Sequence, residues 1–194
     1  MAQTIKAKLK KGLIACGYAM LTESEETGAI TYADVIWLPS IVAGSREYSA
    51  EPRGEMTSVY ADSRIVHADN DNDGYDITLT LLNICDNVET DWLNHVSKSN
   101  GMAEYADSGE FGRFALILVE NTTDGVGKTT IFYDCRCSKR PSLSGKTKEG
   151  SGFEYAFAEY ALVSSPRPTD ALVKLVIDGK TKVTSVTEPT NGEV

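Results

Sequence analysis

No apolar run in this 194-residue chain approaches the ~20 residues a membrane-spanning helix needs, so no membrane insertion is expected. Basic excess is missing too. Nineteen Lys plus Arg stand against 28 Asp plus Glu, a formal charge of −9, which argues against a dedicated nucleic-acid binder. Four cysteines are too few for a disulfide scaffold of this length, and the expectation is a reduced, cytoplasmic fold. The lysines near the start are followed by no sustained apolar stretch, so no secretory signal is expected. Only two histidines occur, His67 and His95, with no nucleophile motif or His–carboxylate constellation, so acyl-transfer chemistry has no visible machinery. Internal repeats and low-complexity tracts are absent as well. What remains is 41% hydrophobic and 24% charged, an ordinary globular composition long enough to bury a core.

The charge is unevenly spread. Residues 1–46 carry five basic and four acidic side chains, residues 47–124 four basic and sixteen acidic, and residues 125–194 ten basic and eight acidic. The middle of the chain therefore holds a net −12, between segments of net +1 and +2. Basic clusters lie at Lys6, Lys8, Lys10 and Lys11, and at Lys139, Arg140, Lys146 and Lys148. A solvated surface explains such a pattern simply; opposite-signed patches that meet between copies of the chain would instead favour ordered self-assembly.

Alternation predicts strands. In the run 76–81, Asp76, Thr78 and Thr80 share one face and Ile77, Leu79 and Leu81 the other, as in a half-buried strand. Residues 114–119 are apolar on both faces, as a central strand would be. Residues 129–138 alternate, with Ile131, Tyr133, Cys135 and Cys137 expected on one face, and 153–163 and 172–177 read as further strands. Additional strands are expected near 14–21, 30–38 and 56–67, with Gly- and Asp-rich turns between. One helix is expected from Asp86 to Val96, with Asp86 as cap, Glu89 completing a capping box, and Asn100-Gly101 ending it. Its stripe of Val88, Trp92, Leu93 and Val96 would pack on the sheet. Residues 40–55 read as a long irregular loop, and 179–194 as a flexible tail beyond a single domain spanning 1–178.

Three motifs tempt and are discounted. The run 122–129 (TTDGVGKT) lacks the leading Gly of a phosphate-binding loop and is followed by an alternating strand pattern where a helix is required, so a hairpin turn is expected. Asp69 to Gly74 opens like a calcium loop, but the twelfth position, which should be Glu, is Thr80. Cys135 and Cys137 have no second pair at zinc-ligand spacing, and all four cysteines read as small buried residues. No cofactor, metal site or enzymatic activity is expected.

In order, the chain offers a strand at 12–21, a turn into Ile30-Thr-Tyr32, the irregular segment 40–55 and Val59-Tyr-Ala-Asp62. The strand 76–82 then runs straight into the helix, and late strands follow at 114–119, 130–137 and 153–163. In this arrangement, carried mostly by the Tyr-Ala-Asp step and the strand–helix junction, the chain resembles the major tail tube proteins of long-tailed (siphovirus-type) bacteriophages over about residues 10–178. It departs from them in its C-terminal tail and in the acidic turn 69–73. The resemblance implies a mainly β fold, an antiparallel β-sandwich or barrel with one flanking α-helix. It further implies stacked, commonly hexameric rings that form a hollow tube conducting DNA from capsid to host. Contractile-tail inner tubes and type VI secretion tubes share that architecture. Its partners would be other copies of itself and the tape measure, tip and terminator proteins, with DNA passing through unbound. Its place would be the virion tail, after synthesis in the host cytoplasm.

On this reading Asp76, Thr78 and Thr80, with Asp134 and Glu154, are the candidate lumen-facing residues. A negative bore would keep the duplex centred, whereas a basic ring would bind phosphates and stall it. Contacts between subunits or rings are expected from Lys6, Lys8, Lys10, Lys11, Lys146 and Lys148. The segment 40–55 would add Ile41, Val42, Arg46, Tyr48, Glu51, Arg53 and Glu55, ordering only on assembly. The alternative is a β-sandwich ligand- or receptor-binding module, which would show exposed aromatics in a cleft.

Overall fold

The computed structural model describes residues 9–107, 109–143 and 155–190. Among these residues the fold is mainly β, its strand pairs are antiparallel, and one helix is longer than a single turn. The chain begins with β1 (Lys10–Glu23), the short β2 (Ile30–Tyr32) and β3 (Ile36–Trp37), and a single turn α1 (Ser40–Ala43). Then come β4 (Ser45–Arg53), β5 (Met56–Ala61), β6 (Arg64–Asn70) and β7 (Gly74–Leu81), followed by the helix α2 (Asp86–Leu93). The small hairpin β8 (Val96–Lys98) and β9 (Gly101–Ala103) precedes β10 (Phe114–Thr122), β11 (Lys128–Cys137), β12 (Ala158–Ser164) and β13 (Lys174–Asp178).

The main sheet runs β2-β1-β10-β11-β12-β7-β4, with β3 beside β1 and β13 beside β11. It folds over on itself. Edge strand β4 returns beside the start of β1, where Lys10 Nζ donates to the Tyr48 hydroxyl at 2.8 Å. The enclosed core takes Tyr18 from β1, Phe114, Leu116 and Leu118 from β10, Ile77, Leu79 and Leu81 from β7, and Tyr160 and Leu162 from β12. Helix α2 plugs this core with Val88, Trp92 and Leu93, all 0–1% exposed. Trp92 stacks on Phe114 at 4.3 Å between ring centroids and meets Tyr18 and Tyr160 edge-on. Tyr18 in turn anchors the helix by donating its hydroxyl to Asp91 Oδ2 at 2.6 Å.

The strand alternation at 76–81 is as expected, but four segments differ from expectation. The helix ends three residues early, because Asn94 takes a left-handed conformation (φ 55°) and turns the backbone back onto Glu89. Val96 therefore lies on β8 and is 39% exposed, outside the core stripe, and Cys85, not Asp86, occupies the cap position without a side-chain cap bond. Residues 40–55 are no irregular loop: α1 and β4 account for most of them, and β4 pairs with β7 from Ser45↔Leu81 to Arg53↔Gly74. Its mixed polar–apolar sequence is the half-buried alternation of an edge strand, with Tyr48 and Ala50 turned to the core. In β11 a register shift sets two residues, Tyr133 and Asp134, against the single Ala115 of β10, and this one extra residue leaves Ile131 and Tyr133 facing outward while Cys135 and Cys137 face the core.

The fourth difference is the C-terminus. Residues 179–190, expected as part of a flexible tail, cross the outer face of the sheet. Val183 and Val186 cover Ile117, Ile131 and Tyr133 together with Tyr32, Val35 and Trp37. The Trp37 indole donates to the Val183 carbonyl at 2.9 Å, Val35 N–H donates to the Thr184 carbonyl, and Arg167 reaches Glu188 with two nitrogens. Valines at 183 and 186 have a sheet face to bury on, and that is what orders the segment.

Beyond β4 and β7 the same antiparallel ladder continues as β5 and β6. Asp73 N–H bonds the Arg53 carbonyl and Asp71 N–H the Glu55 carbonyl across the junction. The result is one long hairpin whose distal half projects from the sheet as an arm and turns at Asp62-Ser63, both at positive φ. Met56 and Tyr60 on this arm are 65% and 66% exposed.

Candidate assembly surface

Three of the five expected lumen residues, Asp76, Thr78 and Thr80, sit on the outer face of β7, and the register shows what flanks them. Glu47, Thr80 and Glu159 lie side by side across β4, β7 and β12, followed by Ser49, Thr78 and Ala161, then Glu51, Asp76 and Val163. Glu47, Glu51, Asp76, Thr78 and Glu159 are all exposed. Three adjacent strands thus present four carboxylates on one open sheet face. A sheet normally covers such a face or solvates it, and this one is polar enough to stay wet.

The face is bounded by arginines. Arg53 Nε lies 3.4 Å from Asp76 Oδ1, while its Nη2 donates to the carbonyls of Asp73 and Ser164 at 2.7 and 2.8 Å. Arg136 continues the row beyond Val163 and is exposed. Arg140 pairs with Glu104 and lies over the Phe111 ring. Arg46 stacks on the Phe157 ring, 4.1 Å from its centroid. Thr80 is 7% exposed and forms the floor of a cleft of about 300 Å³ beneath Arg46, Tyr155 and Phe157.

The sequence-predicted residues therefore divide. Asp76 and Thr78 are open on the acidic face, and Thr80 lies on the same face but is covered. Asp134 is not there: it is 7% exposed and held by Arg113, whose Nε and Nη2 donate to its two oxygens at 3.1 and 2.7 Å. The same guanidinium reaches Glu23 with Nη1 at 2.5 Å, and these bonds raise its pKa further above the ordinary arginine value. Such a paired, covered carboxylate cannot line a bore. Glu154, Lys6, Lys8, Lys146 and Lys148 lie outside the described residues, as does the side chain of Val42.

Of the expected contact residues, Ile41 is 94% exposed on α1 and free for a partner. Glu51, Glu55 and Lys11 are exposed, while Tyr48 is half-buried toward the core. Lys10 is already engaged within the subunit, with its Nζ 2.8 Å from Glu120 Oε2. Sequence reasoning missed Glu47 and Glu159, although the register of β7 with its neighbours makes them equivalent to Asp76. Only the strand pairing, not the composition, could have found them.

The discounted motifs resolve locally. Residues 123–127 form the tight turn between β10 and β11: Thr122 Oγ1 accepts from Gly127 N–H at 2.8 Å and Asp124 Oδ1 from Val126 N–H at 3.1 Å. No helix follows, since β11 begins at Lys128. At the acidic turn Asn72 Oδ1 accepts from Gly74 N–H, and no group of three or more metal-ligating side chains occurs among the described residues. Burial pushes the Cys16 and Cys137 thiols up to about 12 and Cys135 higher still, so these sulfurs stay protonated. Among the described residues no helix is long and apolar enough to cross a membrane. No protein-family model matches this chain, and neither does any curated protein.

Proposed function

We propose that this protein is a structural subunit that stacks as rings, hexameric by the resemblance drawn above, into the hollow tail tube of a long-tailed bacteriophage. The observation that carries the reading is the open acidic face of β4, β7 and β12 lying next to an edge strand. Among the described residues β4 pairs only with β7 in the main sheet, and its other edge, which lies beside β1 without a strand ladder, would offer backbone N–H and C=O groups to a neighbouring copy. Sheets joined through that edge would form one continuous wall. Its Glu47, Glu51, Asp76, Thr78 and Glu159 would then be repeated around a bore, and phosphates passing along it would meet carboxylates.

The projecting β5–β6 arm and the exposed Ile41 would serve contacts outside the wall. The partners on this reading are further copies, the tape measure, tip and terminator proteins, and DNA in transit. The role is structural, in the virion, and no reaction is assigned. Negative-stain microscopy of the concentrated protein tests it: tubes about 100 Å wide, the size expected of small domains packed around a pore, are the predicted result.

A ligand- or receptor-binding module is the second reading. The cleft where Tyr155 and Phe157 lie beside Arg46, Glu47 and Glu159 favours it. That reading predicts a monomer at every concentration.

A further inference from the structure

The main sheet has a gap that the assembly surface does not use. β11 pairs with β13 along Lys128 to Phe132 and with β12 only from Cys135 onward, so the sheet opens where it changes partner. A cavity of about 500 Å³ fills the opening, a volume typical of small-molecule sites. Its rim carries three ammonium groups, Lys10, Lys128 and Lys174, against one carboxylate, Glu120. In a chain of net charge −9 this is a local electropositive hollow.

Two of these cations are held in place by tyrosines. Lys10 Nζ donates to the Tyr48 hydroxyl at 2.8 Å, and Lys174 Nζ donates to the Tyr75 hydroxyl at 2.7 Å while lying 4.3 Å from the centroid of that ring. An ammonium has three donors, so Lys174 keeps two N–H groups and Lys10, which also meets Glu120, keeps one for a further acceptor. Neutralising Glu120 requires one lysine, and Lys10 is already 2.8 Å from it. Of the other two, Lys128 stands between Glu120 and Asp178 in the strand register, and Lys174 contacts Tyr75. The floor is apolar, formed by Phe132, which Tyr75 meets edge-on at 5.3 Å, and by Ala50.

We propose that this cavity binds a small organic polyanion, a di- or tricarboxylate or a phosphorylated compound. Its oxyanions would meet Lys174 and Lys128, and its body would lie on Phe132. Walls of low dielectric and a cation fixed beforehand favour such a ligand over chloride, because the Tyr75 contact already meets the ordering cost of Lys174. The site lies within one subunit and is read whether or not the chain assembles.

The test is isothermal titration of the full chain with citrate and, separately, with inorganic pyrophosphate, at ionic strength matched with sodium chloride. Saturable one-to-one binding of citrate identifies the carboxylate form of the ligand, and of pyrophosphate the phosphate form. Lys174→Met is expected to weaken binding about tenfold or more, as loss of a charge-assisted hydrogen bond does. Lys11→Met, on the exposed start of β1 outside the cavity, should leave it unchanged. Melting curves establish that each variant is folded, and Lys128→Met takes the place of Lys174→Met if the latter is not. The proposal is overturned if neither anion binds saturably below about 10 mM, an affinity weaker than about −3 kcal/mol. It is equally overturned if Lys174→Met and Lys128→Met bind as tightly as the parent chain.

Discussion

Trp92 is the side chain on which the helix–sheet contact depends most, and removing it measures that contact. It is 0% exposed, stacked within 10° of parallel on Phe114 and edge-on to Tyr18 and Tyr160. Truncating a buried Trp to Ala ordinarily costs ~3–5 kcal/mol, and aromatic pairs add ~0.5–1.5 kcal/mol beyond the buried area. With three ring partners lost together, Trp92→Ala should fall in the upper part of that range, at ~4–5 kcal/mol. That is about a quarter or more of the ~5–15 kcal/mol that holds a typical domain folded. Among the described residues the indole Nε1 has no hydrogen-bond partner, so Trp92→Phe gives up volume but also removes a buried unpaired donor. It should cost only ~1–2 kcal/mol. Urea unfolding followed by far-UV circular dichroism gives both values. A loss below about 1 kcal/mol for Trp92→Ala would show that the helix is peripheral to the core. Equal losses for Ala and Phe would refute the argument from stacking and the unpaired N–H.

Three further outcomes follow from the geometry. Gly74 opens β7 at φ 99°, and a Cβ there would lie 1.9 Å from the Ser164 carbonyl oxygen, so Gly74→Ala should destabilise by ~2 kcal/mol or more in the same assay. Gly125→Ala, at φ 81° with nothing within 4 Å, should cost only the backbone strain of about 1 kcal/mol. Hydrogen bonds from Arg167 hold the Asp170 carboxyl down to about 2 from its usual 3.8, so its contribution is complete above the unfolded value and is lost as pH falls from about 4 toward 2. Because Arg167 also holds Glu188, the emission of Trp37 should shift to the red over that window as the 179–190 segment loosens, and Asp170→Asn should shift it already at neutral pH. Flat emission down to pH 2 would contradict this. Of the four free cysteines only Cys85 is not buried, so one thiol per chain should react with a disulfide reagent at pH 8 and four after denaturation. Rapid reaction of two would be inconsistent with the core described.

Much of this fold was legible because burial imposes a period. The run 76–81 alternates strictly, and its apolar half is the core half; the hairpin at 123–127 was readable from glycines and the strand pattern after them. Where the period is interrupted, reading failed. The register shift in β11 moves Cys135 and Cys137 to the face opposite the one alternation implies, and nothing in the local sequence marks it. The edge strand β4 reads as a loop because half its residues face solvent and Pro52 sits within it, which an edge tolerates and a central strand does not. Asp134 looked like an open carboxylate because its partner, Arg113, is 21 residues away in sequence. The acidic face shows the same limit from the other side. Asp76 and Thr78 were found from one strand's alternation, but Glu47 and Glu159 join them only through pairing partners set by long-range topology. Local patterns encode which face of a strand is wet; they do not encode which strands lie beside it.

The most direct test of the central proposal is the density map of the assembled protein by electron cryomicroscopy. The account predicts hollow tubes in which β4 pairs with a strand of the next subunit and Glu51, Asp76, Thr78 and Glu159 line the bore. A monomer at all concentrations, or a tube whose bore is lined by lysines with that acidic face turned outward, would contradict it.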